Sequence, residues 1–156
     1  MSGEQPGAAD MATQRIALIL FAVAVIFNYP WEVAQAPLYT GMDNMNAPWW
    51  HCFVASLGDG ALVLLIFAVG WLALRRSNWF KRPGVRGYIL MLVSGLTIAV
   101  AVEWVAVHML QRWDYVAAMP RLPVLDVGIM PIVQMLVLPP LIFRIVAAIT
   151  FRSRGA

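Results

Sequence analysis

The sequence predicts an all-α protein: a bundle of four transmembrane helices with both termini on the cytoplasmic side. Three observations predict it: an apolar composition, four apolar runs of membrane-crossing length, and a one-sided placement of Lys and Arg. The 156-residue chain is 62% hydrophobic and 12% charged, with a mean hydropathy of +0.75. Soluble domains carry about 25% charged residues. A single 17.3 kDa domain this apolar needs the bilayer as its solvent. The net charge of +3 and pI of about 9.5 do not indicate nucleic acid, because the basic residues gather at span ends. There they read as topology signals and contacts to anionic headgroups. The lone Cys52 excludes an intrachain disulfide and any CxxC redox or zinc motif.

A hydrocarbon core about 30 Å thick needs about 20 helical residues to cross it. The first run opens after Arg15 and extends from Ile16 to about Gln35. The second runs from about Trp50 to Leu74 and stops at Arg75 and Arg76. The third runs from about Gly87 to Leu110, ahead of Gln111 and Arg112. The fourth starts near Val124 and reaches about Thr150, interrupted by Pro139 and Pro140. That proline pair predicts a kink, or an end followed by a short interfacial helix carrying Arg144.

Orientation follows from counting Lys and Arg. Arg15, the 75–86 loop (Arg75, Arg76, Lys81, Arg82, Arg86) and the C-terminal Arg144, Arg152 and Arg154 lie on one side, with Arg112 and Arg121 on the other. Nine against two is a positive-inside bias that places both termini in the cytoplasm. Aromatic belts fit: Tyr39, Trp49, Trp50, Trp113 and Tyr115 outside, Trp71, Trp79, Phe80 and Tyr88 inside. Residues 1–14 read as a flexible cytoplasmic tail, 15–151 as one four-helix transmembrane domain and 152–156 as a second tail. Ala34-Gln35-Ala36 has the form of a signal-peptidase site, but Trp31, Glu32 and Pro37 around it argue against cleavage.

Each ionisable group within a span costs about 2.5–3.5 kcal/mol on insertion scales. At about 1.5 Å of rise per residue, Asp59 and Glu103 both lie about 22 Å above the cytoplasmic boundary, Glu32 at about 25 Å and Asn28 at about 20 Å. Gln134 falls in the same outer half, so each of the four helices places a polar group in one layer. Spacing turns the layer inward. Asn28, Glu32 and Gln35 form one helical stripe with Trp31 beside it, and Gly95, Ala99, Glu103 and Ala106 form another. Asp126, Met130 and Gln134 are spaced as a third, and Gly58-Asp59-Gly60 bares the backbone around the second acid. Intramembrane amides and carboxyls also serve simply to lock helices together. Three carboxyls without an intramembrane Lys or Arg exceed what locking requires. Crowding and burial favour a protonated acid, the condition for a proton donor or relay.

His51 and His108 both lie toward the outer side. His51 precedes Asp59 by eight positions, so the two can share a helix face; His108 follows Glu103 by five, about 140° around the helix, but lies below Trp104 at i+4. The Glu-x-x-His pair of a bundle di-metal site is absent. No cofactor is predicted. A metal held by His51, His108 and the carboxyls is a lesser alternative, and so is copper on Met42, Met45, Cys52, Met109 and Met119 with the histidines. The proline- and aromatic-rich outer loops read either as caps over a pocket or as ordinary interfacial belts.

The segments W-E-x-x-Q-x-P-L-Y (31–39), G-D (58–59), E-W (103–104), R-W-x-Y-x-x-x-M-P (112–120) and P-I-x-Q (131–134) together resemble a group of small bacterial four-helix inner-membrane proteins. The resemblance covers the chain from the first span to the fourth. It implies a multi-pass bacterial inner-membrane location and carries over no catalytic roles.

No P-loop, nucleotide fold, Ser/His/Asp set or haem-attachment site is present in the sequence. Three functions fit the polar layer. The first is an intramembrane acid/base enzyme acting on a lipid-like, isoprenoid-type substrate. Glu103 and Asp59 are its proton-transfer pair, with Glu32 and His108 as tuning or relay groups. Asn28, Trp31, His51, Trp104 and Gln134 are its expected substrate contacts. The second is an accessory or binding subunit of a larger membrane complex. The third is a small proton-coupled carrier, which four helices would support only as a homodimer. The expected partners are membrane lipid and another membrane protein or second copy, not nucleic acid.

Overall fold

A computed structural model describes residues 6–42 and 48–152. Four helices among them are long and apolar enough to cross a membrane. They are α1 (Pro6–Gln35), α2 (Pro48–Leu74), α3 (Gly84–Trp104) and α4 (Ile129–Arg152), and they alternate in direction. A five-residue π turn, Val105–Met109, prolongs α3, and a two-stranded hairpin of β1 (Arg121–Leu122) and β2 (Val127–Gly128) precedes α4. α1 packs chiefly on α2 and α4, and α3 chiefly on α4. The loops 36–42 and 110–128 lie together at one end, here the loop end.

Three boundaries differ from the hydropathy reading. α1 begins at Pro6, so residues 6–14 are helix where composition suggested a tail. Proline suits a first helical turn, and the following Ala, Met and Gln residues are good helix formers. Residues 1–5 and 153–156, with Arg154, lie outside the described residues, as does Met45. α4 starts at Ile129 rather than near Val124. Asp126 therefore sits in the hairpin turn with φ 49°, exposed and paired with Arg121 at 3.4 Å, and does not share a stripe with Gln134.

The third difference is that α4 runs through Pro139 and Pro140 without ending, so Arg144 lies within it. Pro139 has no N–H to offer the carbonyl four residues back, that of Met135. That carbonyl faces Gly95 of α3: a Cβ added there would lie 2.3 Å from the Met135 oxygen. Only glycine lets the two backbones meet so closely, which fits the small-residue stripe read along α3.

The bundle core lies below this contact, away from the loop end. Leu20, Val63, Ile66, Met91, Ile142 and Phe143 fill it. Trp79 and Phe80, placed by sequence in the inner aromatic belt, instead fold back into the bundle and are fully buried. Trp79 Nε1 donates to the Phe67 carbonyl at 3.1 Å, and both rings lie against Phe143 at 5.4 and 5.7 Å between centroids. Burying two large aromatics outweighs the interfacial preference that the belt reading used. Trp71 and Tyr88 are exposed, in keeping with a belt.

Candidate functional site

The polar layer forms at the loop end of the core. α1 turns its Leu20, Ala24 and Asn28 stripe inward, and the next turns carry Glu32 and Gln35 on that face. α3 does the same with Gly95, Ala99, Glu103 and Ala106, all buried, Glu103 to 4% exposure. α1, α2 and α4 bring their polar groups together around Gln134.

The Gln134 amide nitrogen lies 2.8 Å from Asn28 Oδ1, 2.9 Å from Glu32 Oε1 and 2.8 Å from Asp59 Oδ2. Its own oxygen accepts from Gln35 Nε2 at 3.1 Å, and that nitrogen also donates to Glu32 Oε1 at 2.6 Å. Trp31 Nε1 donates to Gln35 Oε1 at 3.3 Å, and Asn28 Nδ2 to the Ala24 carbonyl at 2.8 Å. Glu32 Oε1 and Asp59 Oδ2 thus meet at the same Gln134 nitrogen. The Gln134 amide has two hydrogens for these three acceptors.

Glu103 has separate partners. Tyr115 donates its hydroxyl to Glu103 Oε2, and Trp113 Nε1 donates to the same oxygen at 3.4 Å. The Tyr115 oxygen in turn accepts from the Gly128 N–H at 2.9 Å. Burial, then the adjoining Glu103, pushes the Tyr115 phenol above its ordinary range, and the same two causes act on Tyr39. Both stay neutral hydroxyls across the physiological range. The loop carrying Tyr115 is fixed to the loop after α1: Tyr39 and Tyr115 form an antiparallel bridge, Thr40 N donates to the Asp114 carbonyl at 2.9 Å and Val116 N to that of Leu38 at 3.1 Å. Tyr39 also packs edge-on against Trp113 at 6.2 Å. The loops are thus caps.

Under the caps lies a cavity of about 410 Å³. Its walls are Glu32 and Gln35 of α1, Ala55, Gly58, Asp59 and Leu62 of α2, Val102 and Glu103 of α3, and Pro131 and Gln134 of α4. Tyr39, Thr40, Met42, Arg112 and Trp113 roof it. Among the described residues lining it, Glu32, Asp59 and Glu103 are the acids and Arg112, at the exposed rim, the cation. The volume is within the range of about 300–1,000 Å³ typical of small-molecule sites.

Glu32, Asp59, Glu103 and Gln134 are therefore brought together as their depths and spacings predict. Asn28 and Trp31 stand behind them in the hydrogen-bond network, off the cavity wall. The histidines and Trp104 are not at the site. His108 points away: its Nε2 lies 3.1 Å from the Leu125 carbonyl and its ring 5.9 Å from exposed Trp104. His51 lies exposed near the start of α2. Among the described residues no three His, Cys, Asp or Glu side chains are placed to hold one metal ion. The expected soft ligands are scattered, with Met42 at the cavity, Cys52 and Met119 buried elsewhere and Met109 exposed. Sequence reasoning missed Tyr115, Trp113 and Gln35 as site residues. The only signal for the first two was the dense R-W-x-Y loop motif.

Fold and site together define a helical bundle, with four helices of membrane-crossing length, built around an acid-lined cavity. Comparison with protein families, curated proteins and solved structures gives no match. The chemistry of the cavity carries the functional argument.

Proposed function

We propose that this protein is an intramembrane acid/base enzyme of the bacterial inner membrane. In this reading its termini face the cytoplasm, its cavity lies in the outer half of the bilayer, and its substrate is lipid-like, of isoprenoid type. The observation that carries the reading is the cavity itself: three carboxyls from three helices line one space of about 410 Å³. A purely structural lock has no use for space beside its hydrogen bonds.

The bonding pattern supports a division of roles. Asp59, anchored by Gln134 beside Glu32, is the protonated acid of this scheme and the donor to an alkene carbon or an oxygen. Glu103, held by the neutral donors Tyr115 and Trp113, is the acceptor that removes a proton from the neighbouring carbon. Alkene isomerisation balances on this scheme: one proton enters from Asp59, one leaves to Glu103, and no oxidant or reductant is required. The proton then returns to the pair across the cavity before the next cycle.

The scaffold reading is favoured by one observation: among the described residues no buried side-chain polar atom lacks a hydrogen-bond partner. Deuterium transfer separates the two. Vesicles holding the protein and a bacterial lipid extract are incubated in D₂O, and the lipids are analysed by mass spectrometry. The enzyme reading expects protein-dependent deuterium on carbon in an unsaturated lipid, lost in Asp59→Asn and Glu103→Gln. No deuterium beyond that in empty vesicles contradicts it.

A further inference from the structure

The two glycines beside Asp59 meet different surroundings. A Cβ on Gly60 would lie 2.9 Å from the Phe21 ring of α1, so this glycine serves helix packing. A Cβ on Gly58 would meet nothing within 4 Å. Gly58 lines the cavity and is exposed. Val102 on α3 does the same, at 39% exposure. About two turns deeper the seam is shut, because a Cβ at Gly95 would lie 3.8 Å from Ile66 Cδ1. α2 and α3 thus touch at Ile66 and Gly95 and part above them, leaving a slot beside Asp59 and Glu103. Both walls belong to apolar helices of membrane-crossing length, Trp49–Leu74 and Gly84–Met109.

Resting on the enzyme reading, we infer that the substrate enters sideways through this slot. Its polar end reaches the acids while its hydrocarbon tail stays between α2 and α3 in the outer leaflet. The charges select that polar end. Three carboxyls surround the inner cavity, and the one lining cation among the described residues, Arg112, stands at the exposed rim. An anionic head such as a phosphate is repelled from the acids and stops at the rim. A neutral hydroxyl or carbonyl can pass and hydrogen-bond to the Glu32–Asp59 pair. The occupant is therefore an uncharged long-chain alcohol or carbonyl lipid of the bilayer.

A photoreactive fifteen-carbon isoprenoid alcohol, incorporated in vesicles with the full chain, tests this by peptide mapping after irradiation. Label is expected on the segments 55–62 and 99–103, with the phosphate ester of the same probe labelling them far less. Gly58→Leu fills the slot, and leucine at an interior helix position favours helix over glycine, so the fold is retained. It should cut labelling at least about tenfold, as should Val102→Trp from the opposite wall. Label that ignores both substitutions, or that lies only on other lipid-facing surfaces, overturns the route, and equal labelling by the phosphate ester overturns the selectivity. Labelling needs no turnover. Unlabelled walls with deuterium transfer intact would remove the route alone, whereas labelled walls without transfer would leave the route and remove the chemistry.

Discussion

Gln134 is the residue on which the polar layer depends. Its amide meets three acceptors from two other helices and its oxygen meets Gln35, so no single-residue change unties more of the network. Losing a donor to buried acceptors costs about 1–3 kcal/mol. Gln134→Met should therefore lower the melting temperature in detergent more than any single change among the exposed residues, and a melt at the wild-type temperature would show that the network is not built as described. Tyr115 is the corresponding residue of the cap. Tyr115→Phe removes the donor to Glu103 and the acceptor for Gly128, and should cost about 1–2 kcal/mol on that basis.

The phenols of Tyr39 and Tyr115 also fix a sign for alkaline pH. Their folded-state values lie above the ordinary 10.0, so the unfolded chain loses these protons first. Stability they contribute is present below about pH 10 and falls as pH rises past it. The double Tyr→Phe variant should lose less stability between neutral pH and pH 11 than the wild type, measured by urea or thermal melts. Neither phenol's role was legible in sequence. Tyr115 was assigned to a belt because residues 110–128 carry no period that says which side chains turn inward.

At the scale of elements, the length of the apolar runs revealed the four spans, because a buried stripe and a lipid-facing surface are both apolar. The depth match of Glu32, Asp59, Glu103 and Gln134 followed from counting residues along straight helices. What failed were the places where the local rule loses to packing. The proline pair predicts a kink or an end at 139–140; of these the end does not occur, as the carbonyl that Pro139 leaves without a donor lies against Gly95 and α4 continues. His108 was placed by a 100° helical step, and the π turn over Val105–Met109 changes that step just after Glu103. Gly95→Leu should be the most damaging glycine substitution in α3, costing about 1–3 kcal/mol or more through overpacking against the Met135 carbonyl. Gly58→Ala, in open space, should cost nothing measurable. Equal melting temperatures for the two variants would contradict the α3–α4 contact.

For the whole molecule, the nine-to-two split of Lys and Arg and the alternating helices require both helix-bundle termini on one face. Reporter fusions after Ser77 and Ala156 should report the cytoplasm and one after Gly41 the periplasm. A periplasmic C-terminal reporter would invert the bundle and put the cavity in the wrong leaflet.

The central claim is that the acids move protons rather than merely hold helices. The most direct test compares amide with alanine at Glu103, reading thermal stability and deuterium transfer on the same preparations. Glutamine keeps the shape and can still hydrogen-bond to Tyr115, so the catalytic account predicts a near-normal melt with transfer abolished. Interhelical hydrogen bonds in membranes average only about 0.6 kcal/mol, so loss of fold cannot account for that result. Full transfer in Glu103→Gln beside a destabilised Glu103→Ala would contradict the claim and leave the layer as a structural lock.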